Sequence, residues 1–137
     1  MQNNVYILAI DPGRKKNGLA IVDSSGEPVF LGITTTEELY PTVKSLHSTY
    51  GFSLAVIGNG TASSQTVHLL EELFGDLGIS FLLQDEKHTT EEARRLYFKR
   101  NPPKGFFRLI PTGLLTPPTD YDDITALVIA RRYLKIG

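Results

Sequence analysis

Three acidic groups stand where apolar runs stop: Asp11 after Tyr6-Ile7-Leu8-Ala9-Ile10, Asp85-Glu86 after residues 79–83, and Asp122-Asp123 at the head of a final helical pattern. Carboxylates gathered at one sheet edge repel one another unless a cation or a proton joins them. The chain has no Cys, and its His residues, at 47, 68 and 88, follow no metal-ligand spacing. Ligation would therefore be by oxygen alone, which selects a hard ion, Mg²⁺ or Mn²⁺. Two such ions roughly 3.5–4 Å apart activate a water and stabilise the leaving oxygen in phosphodiester hydrolysis. Each acid also has a plainer role. Asp-Pro-Gly at 11–13 suits a tight turn, Asp85-Glu86 can be a polar stop, and Asp122 and Asp123 in a first helical turn offset the macrodipole by about 0.3–1 kcal/mol each. Convergence of all three is what those roles leave unexplained.

The basic residues suit an anionic substrate. The net charge is only -1, but residues 87–108 hold seven basic and two acidic side chains, leaving a surplus of six acids elsewhere. Such segregation marks a surface for an anion, nucleic acid first, or a solvated face. Arg14, Lys15 and Lys16 follow Asp11 closely, and Arg94, Arg95, Lys99 and Arg100 follow Glu86. Both groups are candidates for phosphate contacts. Arg94 and Arg95 can instead pair with Glu91 and Glu92 along a helix. Phe106-Phe107 reads as a core anchor rather than a base-stacking pair.

The elements that must position these residues follow from periodicity. Apolar runs at 5–10, 18–22 and 29–34, separated by Asp-Pro-Gly and Asp23-Ser24-Ser25-Gly26, predict a three-strand antiparallel meander. Leu39, Val43, Leu46 and Tyr50 share one helical face, so a helix is expected over about 38–49, with Pro41 in its first turn. A strand at 54–57 ends at Gly58-Asn59-Gly60. Val67, Leu70, Phe74 and Leu77 then mark a helix started by Ser63 or Ser64 and stopped by Gly78. After a strand at 79–83, Thr89 and Glu92 have capping-box spacing and open a helix to about Lys99. Residues 101–119 are rich in Pro and Gly and read as an irregular loop. A last helix from 120–123 carries Ile124, Leu127, Val128 and Leu134. Strands alternating with helices require parallel pairing through right-handed crossovers. The expected fold is α/β: a mixed five-stranded sheet, the meander plus two parallel strands, with helices on both faces. At 137 residues, 41% hydrophobic and 21% charged, the chain reads as one domain over 1–137. With no apolar stretch near the roughly 20 residues that span a bilayer and no basic-then-apolar start, no membrane is expected and a cytoplasmic location is the default.

Ala9-Ile10-Asp11-Pro12-Gly13 with Gly18 and Ala20, then Asp85-Glu86-Lys87 with Thr89-Thr90 and Ala93, then Asp122 with Ala126, resemble the YqgF family of RNase H-like proteins, relatives of the RuvC Holliday-junction resolvases. The segment Gly58-Asn59-Gly60-Thr61-Ala62-Ser63 also resembles the RNase H-like domain of the transcription accessory factor Tex. The resemblance spans nearly the whole chain. It implies an RNase H-like fold, a Mg²⁺- or Mn²⁺-dependent nuclease, and Asp11, Glu86 and Asp122 as catalytic metal ligands, with Asp123 as a neighbouring or alternate one. It also implies work on ribosomal RNA precursors. The resolvase pattern has a carboxylate where this chain has Gly58-Asn59, and a second acid one turn after Asp122 where it has Thr125. Those departures set the chain apart from the junction-cutting pattern. Asn59 is a candidate contact, because the Gly-Asn-Gly turn can bring amides near a phosphate.

The leading expectation is thus a metal-dependent nuclease acting on RNA or branched DNA, with monomer and homodimer both open. A non-catalytic, Tex-like nucleic-acid-binding module is the alternative. Ile-Asp-Pro-Gly also resembles the first phosphate loop of actin-like ATPases and sugar kinases. Those enzymes close two such domains around a nucleotide, and this chain has residues for one.

Overall fold

The computed structural model describes residues 5–59, 64–84, 89–103 and 120–135, together with positions 105, 109, 112 and 117. In chain order these form β1 (Tyr6–Pro12), β2 (Lys16–Asp23), β3 (Pro28–Thr35), α1 (Thr36–Tyr50), β4 (Leu54–Gly58), α2 (Ser64–Leu77), β5 (Ser80–Gln84), α3 (Thr89–Arg100) and α4 (Asp122–Tyr133). The sheet order is β3-β2-β1-β4-β5. The first three strands pair antiparallel, while β4 joins β1 and β5 joins β4 in parallel. The mixed sheet is the one expected.

Because β1 is central, both its faces are covered, and its apolar run splits by parity. Leu8 and Ile10 pack with Leu19, Ile21, Ala55, Ile57 and the buried faces of α1 and α2: Leu39, Val43, Leu70, Leu73 and Phe74. Ile7 and Ala9 pack on the opposite face with Ala20, Val22, Val56 and α4. Helices therefore cover both faces, α4 sitting directly on the sheet and α3 lying outside it through Ala93, Leu96 and Tyr97. Sandwiched in this way, α4 is buried without interruption from Ile124 to Ala130. That is the condition of a helix with no solvent face over its middle turns. Small residues on both sides, Ala9 and Ala20 against Ala126 and Ala130, let helix and sheet approach closely.

One start differs from expectation. The first helix begins at Thr36, because Thr35 caps it, its hydroxyl accepting from the Glu38 amide at 3.3 Å. Pro41 consequently sits inside the helix rather than in its first turn, where it forfeits one backbone hydrogen bond. The helix α3 starts at Thr89, where the sequence opened it, and Glu92 in its first turn reaches across to Arg132 of α4. Gly78 does stop α2, at φ +69°, a left-handed conformation that glycine takes without a Cβ penalty. No helix among the described residues is long and apolar enough to cross a membrane.

Candidate active site and nucleic-acid interface

The C-terminal ends of β1, β4 and β5 and the start of β2 share one edge of the sheet, which follows from the parallel and antiparallel pairings. Asp11, next to last in β1, lies there half-buried. By alternation with Ile7 and Ala9 its side chain belongs to the face that α4 covers. Its register partner on β2 is Gly18. Continuing the pairing of Ile10 with Ile57 brings Gly58 of β4 to its other side. The carboxylate is thus flanked by two strand positions without side chains.

Gly18 has a second consequence. A Cβ built on it would overlap the main-chain carbonyl of Asp122 and lie 2.9 Å from the Asp123 nitrogen. The first turn of α4 therefore rests directly on β2, backbone to backbone, beside Asp11. Asp122, the first residue of α4, is half-buried. Burial holds its carboxyl above the usual carboxylate value, the charges of Asp120 and Asp123 add to that effect, and Lys16 opposes it. Lys16 ion-pairs with Asp120, both side chains exposed, and this pair raises the lysine further above its ordinary value. Asp120 and Lys16 thus connect the hairpin that follows Asp11 to the start of α4.

Asp123 is turned elsewhere. It lines a cleft of about 530 Å³ with Leu31, Tyr97, Arg100 and Asp120, and its Oδ1 accepts from the Ile124 amide at 2.9 Å. Thr125, one turn after Asp122, is buried, and its hydroxyl donates to the Tyr121 carbonyl at 3.4 Å. Glu86, like Asp85, lies outside the described residues, two positions past the last residue of β5. Phe106 and Phe107 also lie outside them. Among the described residues, no three His, Cys, Asp or Glu side chains gather closely enough to hold a metal. Asp11, Asp122 and Asp123, the candidate ligands that are described, offer carboxylate oxygen only. That donor set fits a hard divalent cation and would not favour a softer one.

The basic candidates divide by partner. Arg14 and Lys15 are exposed at the tip of the β1–β2 hairpin, beside the acid-bearing edge. Lys99 and Arg100 are exposed at the end of α3. Arg95 pairs with Glu91 one turn earlier at 2.6 Å, as the plainer reading allowed. Arg94 pairs with neither Glu91 nor Glu92 in a described contact; its Nε donates to the Tyr121 hydroxyl at 3.3 Å. Glu92 is held by Arg132, Nη2 to Oε1 at 2.7 Å and Nε to Oε2 at 3.3 Å. Asn59 extends the β4–β5 ladder by donating its amide to the Gln84 carbonyl at 3.1 Å and is exposed. Asp120, Arg131, Arg132 and Lys135 were not among the sequence candidates. Only the run of charge at the end of the chain signalled the last three.

No protein-family model matches the sequence, and no curated protein matches it by sequence. Among solved structures, Thermus thermophilus RuvC in complex with a Holliday-junction substrate superposes with a TM-score of 0.63 at 12% identity, covering 92% of this chain and 90% of that one. RuvC of the same organism in another structure gives 0.59 at 10% identity with the same coverage. The fold of this chain is therefore that of RuvC, an RNase H-like α/β domain.

Proposed function

We propose that the protein is a metal-dependent nuclease that hydrolyses phosphodiester bonds in RNA or structured nucleic acid, with Asp11, Glu86 and Asp122 as the residues that would hold Mg²⁺ or Mn²⁺. The observation that carries this reading is the close seat of α4 on Gly18, which brings the main chain of Asp122 alongside the register partner of Asp11. A helix start bearing a half-buried acid is thereby fixed against a strand end bearing another. Burial and like charges raise the cost of ionising Asp122, a cost that a bound divalent cation would offset. When bound, such a cation supplies a polarised water and stabilises charge on the leaving oxygen.

The chain's own groups do the remaining work. Asp11 and Asp122 are held by a strand and a helix rather than by loops, so their separation is set by the core. Arg14 and Lys15 at the hairpin tip are placed to take phosphates flanking the scissile one. With Gly58 and Thr125 where the resolvase pattern has acids, this reading favours a structured RNA or other branched nucleic acid over the four-way junction of the RuvC complex.

The test is cleavage of structured RNA and branched DNA with and without Mg²⁺, comparing the native protein with Asp11→Asn. Metal-dependent product from the native protein and none from the variant is the expected result. Equal product from both would remove Asp11 from the chemistry. Binding by both without product in any metal would favour a non-catalytic, Tex-like module.

A further inference from the structure

Away from the acidic edge, α3 and the C-terminal half of α4 enclose a groove of about 610 Å³. Its walls carry Arg95 and Lys99 from α3 and Arg131, Arg132 and Lys135 from α4 and its end, over a floor of Leu96 and Val128. Among the described residues, Glu92 is the one carboxylate lining it. Even with Glu91 included, which pairs with Arg95 at the rim, the groove keeps three positive charges in excess. Two of its cations are fixed in place: Arg132 by its two-point contact with Glu92, and Arg131 by donating to the Gly26 carbonyl at 3.2 Å. Lys99 and Lys135 are exposed and sit at the groove's α3 and α4 sides. A concentration of like charge on two packed helices is unfavourable to the fold unless a polyanion neutralises it.

We infer that this groove is a second phosphate-backbone site, which holds the nucleic acid at a distance from the acid-bearing edge. The inference rests on the nucleic-acid reading above for the identity of the anion. Its spacing comes from the helix. At 1.5 Å per residue, Val128 and Arg132 lie about 9 and 15 Å along α4 from Asp122. With a stacked rise of about 3.4 Å per nucleotide, that span corresponds to roughly three to four nucleotides. The same helix therefore carries the acid at one end and the phosphate clamp at the other. A substrate must extend several nucleotides to one side of the reacting phosphate to engage both.

The experiment is a fluorescence-anisotropy titration in EDTA, so that cleavage plays no part. A labelled single-stranded RNA of about 20 nucleotides is titrated between about 50 and 200 mM KCl. The native protein is compared with Lys99→Gln, Lys135→Gln, the double variant, and Lys44→Gln on α1 across the sheet. Each groove lysine should lower the slope of log affinity against log salt by about 0.7, and the pair by about 1.4, while Lys44→Gln leaves it unchanged. Groove variants with the native slope would overturn the site, as would a native protein that binds poly-glutamate but not RNA. The slopes are read on the native protein and the lysine variants in EDTA, so they do not depend on whether the protein cleaves RNA. Failure of the nuclease reading and failure of the groove are thus told apart.

Discussion

Gly18→Ala is the substitution through which the geometry of the site can be tested without touching any charge. The added carbon would sit 2.9 Å from the Asp123 nitrogen, where ordinary contact begins at 3.4 Å, and would overlap the Asp122 carbonyl outright. Both obstacles are main chain, so neither can rotate away. The first turn of α4 must withdraw by roughly 1 Å or more. Because Ile124 to Ala130 are buried without a break, the helix cannot tilt without loosening its packing on β1 and β2. Overpacking of this kind costs roughly 1–3 kcal/mol, which for a domain of this size lowers the melting temperature by about 3–15 °C. The opposite sign holds at a glycine in open space. Gly75 in α2 has nothing within 4 Å of its added carbon, and Gly75→Ala should gain up to about 1 kcal/mol. Thermal melts of the two variants beside the native protein give the comparison. Under the nuclease reading, a displacement of about 1 Å at Asp122 should also reduce cleavage by roughly 10²-fold. A Gly18→Ala protein that melts at or above the native temperature would refute the close seating of α4 and, with it, the positioning of Asp122.

Two further outcomes follow from the same geometry. Asp122 has a folded-state pKa above its unfolded value, so its stabilising contribution is complete below the ordinary carboxylate range and is lost as pH rises through the raised value. Asp122→Asn should therefore flatten the decline in stability between acidic and neutral pH and melt higher than the native protein at pH 7 without metal; a lower melting point there would contradict the burial of the carboxylate. Thr35→Ala removes the hydroxyl that accepts from the Glu38 amide and should cost about 0.5–2 kcal/mol in denaturant unfolding, whereas an unchanged midpoint would mean that α1 is not held by that cap.

The architecture was readable because its signals are local and strong. The period-two runs of the meander, the turn residues between them and the helical spacing of Leu39–Val43 or Leu70–Phe74 each report burial on a known face. Element ends were less legible. Thr35 and Glu38 have the same spacing as Thr89 and Glu92, and both pairs stand at a helix start, but Glu92 is claimed by Arg132 of α4. That contact joins residues 40 apart in sequence, and no local pattern announces it. The acids at 11 and 122 could be singled out by residue type and position. What brings their elements together, a missing Cβ at Gly18, reads in the sequence only as a small residue in a strand. Arg94 and Lys16, candidate phosphate contacts by charge and position, also have Tyr121 and Asp120 as partners across the fold, contacts that no local pattern announces.

The nuclease reading requires Asp11, Glu86 and Asp122 to share one hard cation. Crystals grown with Mn²⁺ and measured for anomalous scattering test it most directly. A manganese peak with carboxylate oxygens of all three residues around it is the expected result. The three side chains directed apart, with no peak between them at saturating Mn²⁺, would contradict it.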